Sequence, residues 1–168
     1  PEDGWVRDYV NLSGSLSSAG EQGKAIQACR GAIEIEPNDP DAHFLLGRML
    51  LSGNPSNALK HFDLARKSIP DSPSLLLVIG QAYLQIGDLS QGRQMLQELL
   101  NLSGEINMWP KRAAWATSYI LMAEIEPVQA EEHWEKAWSI DPSTTAEAAF
   151  IQHRELPRVL ETFQAQAA

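Results

Sequence analysis

A recurring spacing of small, bulky and small residues, followed by a proline, constrains the fold of this chain more than any other feature. Three copies share separations of 4, 3 and 5 residues: Ala25, Cys29, Ala32 and Pro37; Ala58, Phe62, Ala65 and Pro70; and Ala130, Trp134, Ala137 and Pro142. A degenerate copy lies between the last two, with Gly92, Leu96, Leu99 and Gly104 in the equivalent places. Successive copies start 33, 34 and 38 residues apart, which indicates one structural unit repeated four times.

A second pattern lies about sixteen residues before each copy of the first. Its four positions are separated by 3, 1 and 3 residues: Tyr9, Leu12, Ser13 and Leu16; His43, Leu46, Gly47 and Leu50; Leu76, Ile79, Gly80 and Tyr83; and Ala114, Thr117, Ser118 and Leu121. These separations place the four residues on one face of an α-helix. A small residue in the third place lets two helix backbones approach closely. The proline of the first pattern ends the second helix, because its ring cannot continue the hydrogen-bond ladder.

The two patterns together predict an all-α chain built from paired helices. We expect the pairs at 4–18 with 22–35, 40–52 with 55–69, 73–86 with 89–102, and 110–124 with 127–139. Gly53 and Gly87 are expected to turn the chain between paired helices. A terminal helix at 144–155 and a last short helix at 157–166 are predicted to cap the exposed end of the core.

These patterns resemble the tetratricopeptide repeat, whose signature is W-x2-L-G-x2-Y, then A-x3-F, then P, at a period of about 34 residues. The best matches are residues 79–83 for the first helix and 58–70 for the second. Tyr9, His43, Leu76 and Ala114 stand where the signature has tryptophan. The resemblance implies one domain over 1–168, a right-handed superhelical solenoid of about four helix-turn-helix repeats plus a C-terminal cap. The repeats would span 6–39, 40–72, 73–106 and 111–144.

The composition and charge of the chain exclude several classes of partner. The 168 residues carry 22 acidic and 13 basic side chains, and no basic stripe interrupts the net charge of −9. Phosphate backbones and anionic membrane surfaces are therefore poor partners. The longest apolar runs are five residues, against roughly 20 needed to cross a membrane. We interpret the chain as a soluble fragment or mature product, cytoplasmic or periplasmic, of open oligomeric state.

The residues that usually carry chemistry do not form a recognisable catalytic or metal motif. The four histidines show no H-E-x-x-H pattern, and none pairs with another four residues away. Cys29 is the one cysteine and stands where the repeat has a core aromatic residue, so we expect a buried, inert thiol. We therefore predict that the chain is not an enzyme and needs no metal or cofactor.

The resemblance implies that the first helices line a concave surface, and the repeat positions that face it can be assigned. Two mainly apolar rows are Val10, Phe44, Leu77 and Trp115, and Ser17, Leu51, Leu84 and Met122. A polar row between them is Gly14, Arg48, Gln81 and Tyr119. The predicted peptide-binding residues are Val10, Phe44, Arg48, Leu51, Leu77, Gln81, Leu84, Trp115 and Tyr119. An alternative stays open, in which the apolar rows pack between neighbouring first helices.

The function implied by the resemblance is that of a protein–protein interaction scaffold. An apolar groove with central polar groups suits an amphipathic or apolar peptide, and Arg48 could bind a carboxylate. We expect an assembly or chaperone-like factor of a bacterial-type complex. The alternative is a regulatory or substrate-recruiting domain of a larger enzyme. The segment 157–168 is a further possible occupant of the groove, from the same chain or a neighbouring one.

Overall fold

The computed structural model describes residues 3–102 and 111–151. These ranges form nine α-helices and one short 3-10 helix, with no strand among them. The α-helices are α1 (Asp3–Ser18), α2 (Gln22–Ile35), α3 (Pro40–Leu51), α4 (Pro55–Arg66), α5 (Pro73–Gln85), α6 (Leu89–Leu100), α7 (Lys111–Ile125), α8 (Ala130–Ile140) and α9 (Pro142–Ile151). The 3-10 helix (Pro127–Gln129) precedes α8. The predicted all-α class is confirmed.

Most helix bounds agree with the predicted ones to within one or two residues. Helix α4 ends at Arg66, three residues early, where the N–H groups of Ser68 and Ile69 both donate to the carbonyl of Ala65 and tighten the last turn. Helix α9 starts at Pro142, two residues early. The predicted helix at 157–166 and the end of that at 144–155 lie outside the described residues.

Several helices begin with a capping side chain followed directly by proline. Oxygen atoms of Asp39, Asn54 and Ser72 accept hydrogen bonds from the backbone N–H three residues on, at 2.6, 3.0 and 3.4 Å. The proline that follows each cap has no N–H, so the first position of the helix adds no unsatisfied donor. Asp141 acts in the same way before Pro142, accepting from the N–H of Thr144 at 3.3 Å, and it also accepts from the hydroxyls of Ser143 and Thr144 at 2.7 and 2.9 Å.

Two glycines end helices in the left-handed conformation. Gly20 follows α1 with φ 78° and Gly87 follows α5 with φ 83°. At the end of α5, the N–H of Asp88 bonds to Tyr83 O at 2.9 Å and that of Gly87 to Leu84 O at 3.1 Å. This pair of bonds is a Schellman motif, which satisfies the last carbonyls of the helix. Gly87 and Gly53 both lie in turns between paired helices, as predicted; after Gly53 the side chain of Asn54 caps α4.

The chain divides into two compact units, and we describe each by itself: unit 1 is Pro1–Gly92 and unit 2 is Arg93–Ala168. The prediction of a single domain over 1–168 stays a prediction. In unit 1, α3 packs against α1, α2, α4 and α5. The outer surface of α1 carries two exposed apolar side chains, Trp5 at 66% exposure and Leu12 at 49%.

The small and bulky positions of the two sequence patterns meet inside unit 1. A Cβ atom added to Gly47 of α3 would lie 2.4 Å from Cε1 of the fully buried Phe62 of α4. In the first repeat the equivalent positions hold Ser13 and Cys29, whose Oγ and Sγ atoms are 2.9 Å apart. The second repeat thus combines glycine with phenylalanine, and the first combines two small residues, serine and cysteine. Both combinations fill the space between the paired helices.

In unit 2 the paired helices α7 and α8 enclose an apolar cluster that includes Ile120, Trp134 and Ala137. Ala149 of α9 belongs to the same cluster, so α9 covers the core of the last helix pair. The Arg112 side chain of α7 donates to Ile140 O at the end of α8, with its Nε atom 2.7 Å away. A cation at this end of a helix satisfies carbonyls that have no partner within the helix. Among the described residues, no helix combines the length and apolarity that a membrane span requires.

Candidate functional site

The predicted peptide-binding residues of unit 1 lie on the successive first helices α1, α3 and α5. Six of them are half-buried: Val10, Phe44, Leu51, Leu77, Gln81 and Leu84. Val10 packs against a cluster of Val6, Ala32 and Ala42, and Leu84 lies beside Gly92. In unit 1 the apolar members of the two rows are thus neither buried nor fully exposed, and their part in peptide binding stays a prediction.

Arg48 is the exposed member of this set and lies beside Phe44. Its guanidinium carbon is 5.7 Å from the centre of the Phe44 ring, within the range of a cation–π contact. The Phe44 ring is held in turn by Phe62, with ring centroids 6.4 Å apart. Arg48 forms no ion pair with any described residue. The arginine is therefore oriented by packing while its charge is left uncompensated.

A pocket of about 260 Å³ opens beside Arg48. It is formed by residues of α1, α2 and α3: Gly14, Ser17, Ser18, Gln22, Leu45, Arg48 and Met49. The first-helix pattern assigns Gly14, Ser17 and Arg48 to the groove rows but does not predict a cavity. Gly14 and Ser17 bring little side-chain volume to this lining, and Gln22 of α2 lies outside the first-helix pattern.

The predicted site residues of unit 2 are placed differently. Trp115, which was expected on the open groove row, is 4% exposed and belongs to the core, as in the alternative where the apolar rows are packed between helices. Tyr119 is half-buried, with its ring 5.9 Å from that of His133 and 5.7 Å from Nζ of Lys136. The assignment of these two residues to peptide binding stays a prediction.

Two histidines that the sequence analysis treated as unrelated meet between α3 and α4. The Nδ1 atoms of His43 and His61 are 3.0 Å apart, and Nε2 of His43 is 2.9 Å from Pro37 O. A carbonyl only accepts, so Nε2 of His43 carries a proton, and in the neutral pair Nδ1 of His61 donates to Nδ1 of His43. Burial, then the charges of His43, Arg30 and Lys60, lower the pKa of His61.

Other polar groups are engaged within the fold. Glu126 accepts from Nε2 of His133 at 2.8 Å and pairs with Nε of Arg93 at 2.9 Å. Burial raises the pKa of the Cys29 thiol, and the hydrogen bond with Ser13 offsets part of that rise. The described residues hold no group of three or more His, Cys, Asp or Glu side chains that could bind a metal ion. The absence of an enzymatic activity or cofactor stays a prediction.

Comparisons with known proteins agree with this architecture. One model of the tetratricopeptide repeat matches residues 49–109 and another matches 9–39, together more than half of the chain. PilF of Pseudomonas aeruginosa is similar over 90% of this chain and 71% of its own, with 21% identity and a TM-score of 0.68. A thermophilic TPR protein of Thermus thermophilus is similar over 89% of this chain and 84% of its own, with 20% identity and a TM-score of 0.67.

A third similar structure is a mutant O-GlcNAc transferase of Thermobaculum terrenum. The similarity covers 83% of this chain and 26% of the transferase, with 17% identity and a TM-score of 0.72. At these identities the similarities concern the fold alone. A comparison with curated proteins finds no significant match. The matched repeats and the paired helices show that the chain belongs to the tetratricopeptide repeat family, whose repeats serve as protein–protein interaction scaffolds.

Proposed function

We propose that the first-helix face of unit 1 binds a peptide segment of another protein. The face consists of Val10, Phe44, Arg48, Leu51, Leu77, Gln81 and Leu84. The occupant we propose is an amphipathic or extended peptide with apolar side chains. The observation that carries this proposal is that Val10, Phe44 and Leu77, which come from the successive first helices α1, α3 and α5, are each only half-buried.

The half-buried state of the apolar rows supports binding of moderate strength. Each side chain still has apolar surface to remove from water, at about 25 cal/mol per Å². The same side chains are anchored by helix packing, so they lose little conformational freedom when a ligand arrives. A flexible peptide loses considerably more, and we therefore expect micromolar affinity. An assembly or chaperone-like role suits contacts of this strength, because the client must be released.

A second candidate is a regulatory or substrate-recruiting domain of a larger enzyme. It is favoured by the similarity to a limited part of the Thermobaculum terrenum transferase. The full-length gene distinguishes the two candidates, since the second requires a catalytic domain in the same protein. Replacing Phe44 and Leu77 by alanine in that protein would then raise KM for a protein substrate but leave activity on a small acceptor unchanged.

Selection from a phage-displayed library of random 15-residue peptides tests the proposed function. We expect the selected peptides to carry apolar residues at recurring spacings. Binding to the Phe44→Ala, Leu77→Ala double variant should be at least tenfold weaker, since each truncation removes about 1 kcal/mol or more at an anchor. Replacement of the exposed Gln27 of α2 by alanine is the matched control. Failure to select any peptide, or equal binding to all three proteins, would contradict the proposal.

A further inference from the structure

The pocket beside Arg48 offers hydrogen-bond donors from three helices around one uncompensated charge. Arg48 comes from α3, Ser17 from α1 and Gln22 from α2. The Gln22 amide donates to Met49 O at 3.4 Å and keeps a second N–H for a ligand. The Ser17 hydroxyl has no hydrogen-bond partner among the described residues. No acidic side chain lines the pocket.

The lining of the pocket is partly polar and partly apolar. Leu45 and Met49 supply the apolar part, and the hydroxyl of Ser18 donates to Gly14 O at 3.0 Å. A ligand group that fits must therefore have a short apolar stem and an anionic, acceptor-only end. The carboxylate of glutamate or aspartate has this form, and it accepts bidentate hydrogen bonds from a guanidinium.

The single positive charge of Arg48 balances a ligand group that carries one negative charge. A phosphate monoester carries nearly two charges at neutral pH and usually meets a cluster of arginines. Here Arg48 is the one cation that lines the pocket, in a chain of net charge −9. The charge balance therefore favours a carboxylate over a phosphorylated side chain.

The position of Arg48 within α3 distinguishes a side-chain carboxylate from a chain terminus. The groove residues Phe44 and Leu51 lie one turn before Arg48 and one turn after it. A peptide that contacts both continues past the pocket in both directions. The group that enters the pocket is then an internal side chain.

We propose that this pocket selects a glutamate or aspartate side chain of the bound peptide, with Arg48 as the specificity-determining residue. This inference rests on the proposed peptide-binding function. It adds to that function a fixed acidic position among the apolar anchors. It also requires that the Arg48–Phe44 contact hold the guanidinium in place, so that binding of the carboxylate costs little side-chain entropy.

The test is a double-mutant cycle with one selected peptide, synthesised with an amidated C-terminus. Fluorescence anisotropy gives Kd for the peptide and its Glu→Gln derivative against wild type and Arg48→Gln. We expect the peptide change to weaken binding to wild type about tenfold, the effect of losing a charge-assisted hydrogen bond, and to leave Arg48→Gln nearly unaffected. Arg30→Gln is the control for net charge, because Arg30 is exposed on α2 and does not line the pocket.

The remaining outcomes contradict either the pocket assignment or the proposed peptide binding. Equal binding of the two peptides by wild type, an equal loss in Arg48→Gln, or selected peptides without acidic residues would overturn the pocket assignment while leaving peptide binding intact. A requirement for a free C-terminal carboxylate would also overturn it in favour of a chain terminus. If wild type binds no peptide although circular dichroism shows that it is folded, the proposed function itself is contradicted. An Arg48→Glu variant that prefers a Lys-containing peptide supports the assignment independently.

Discussion

At the scale of single residues, the contact between Gly47 and Phe62 controls how closely α3 and α4 pack. Alanine at position 47 would place its Cβ 2.4 Å from the buried ring, so the ring or the helices must move. We expect Gly47→Ala to lower the free energy of unfolding by roughly 1–3 kcal/mol, the usual cost of overpacking. Urea denaturation measures this change. Gly53→Ala is the control, because no atom lies within 4 Å of its added Cβ.

Combining Gly47→Ala with Phe62→Leu tests the cause of that loss. Leucine removes the ring atoms that the new methyl group would meet, so the double variant should lose less stability than the sum of the single variants. Additive losses would show that the alanine acts elsewhere. Phe62→Ala by itself should cost about 3–5 kcal/mol, because it empties a fully buried aromatic site.

The His43–His61 pair predicts a dependence of stability on pH. The pKa of His61 is lower in the folded chain than its ordinary value of 6.5, chiefly through burial. The unfolded chain therefore binds the proton at higher pH, so stability is fully present above pH 6.5 and falls as the pH drops below it. We expect Tm to fall between pH 7.5 and 5.5, and to fall less in His61→Asn. An identical fall in both proteins would mean that other groups cause it.

At the scale of helices, the left-handed glycines predict where substitution is costly without any steric contact. Nothing lies within 4 Å of a Cβ added at Gly20, Gly53 or Gly87, but only Gly20 and Gly87 have positive φ. Gly87→Ala should lose about 1–2 kcal/mol of unfolding free energy, the cost of the left-handed conformation for a residue with a Cβ. Gly53→Ala should be close to neutral or stabilising. Equal effects in thermal denaturation would refute this explanation.

The helices were largely predictable because their periodicity and their breaks are local properties. The ends that differed depend on backbone and side-chain hydrogen bonds of the terminal turns, which a pattern of small and bulky residues does not include. Asp141 starts α9 early because its carboxylate caps the first turn, a function that the dipeptide Asp141-Pro142 could have indicated. The predicted helices start at Pro40, Pro55 and Pro73, as the structure has them, whereas Pro142 was interpreted as the end of a helix and in fact begins α9.

The candidate site was less predictable, because its properties arise between helices. The repeat pattern assigned Arg48 to the groove but carried no information on Gln22, which enters the pocket from α2. It placed Trp115 on a groove row, whereas burial depends on what packs over that row. The His43–His61 pair was not predictable from spacing within one helix, because the two histidines come from α3 and α4.

At the scale of the whole molecule, α1 forms the edge of unit 1 and should open first. It contains Ser13, Gly14, Ser15, Ser17 and Ser18, which are poor helix formers. Helix α3, by contrast, is packed against four other helices. We expect amide hydrogen exchange to be faster throughout α1 than in α3, because α1 packs mainly against α2 and α3 and its residues have low helix propensity. Equal protection of both helices, measured by mass spectrometry, would show that packing overrides this edge effect.

Four of the five tryptophans belong to unit 2, so intrinsic fluorescence reports mainly on that unit. Of the five tryptophans, Trp5 alone belongs to unit 1, where it is 66% exposed, while Trp115 and Trp134 of unit 2 are each 4% exposed. In a Trp5→Phe variant, all indole emission would come from residues 93–168, whereas circular dichroism at 222 nm reports the helices of both units. If residues 1–168 are one cooperative domain, the two signals should follow a single urea transition. A red shift of the emission that is complete before half of the ellipticity is lost would instead show that unit 2 unfolds on its own.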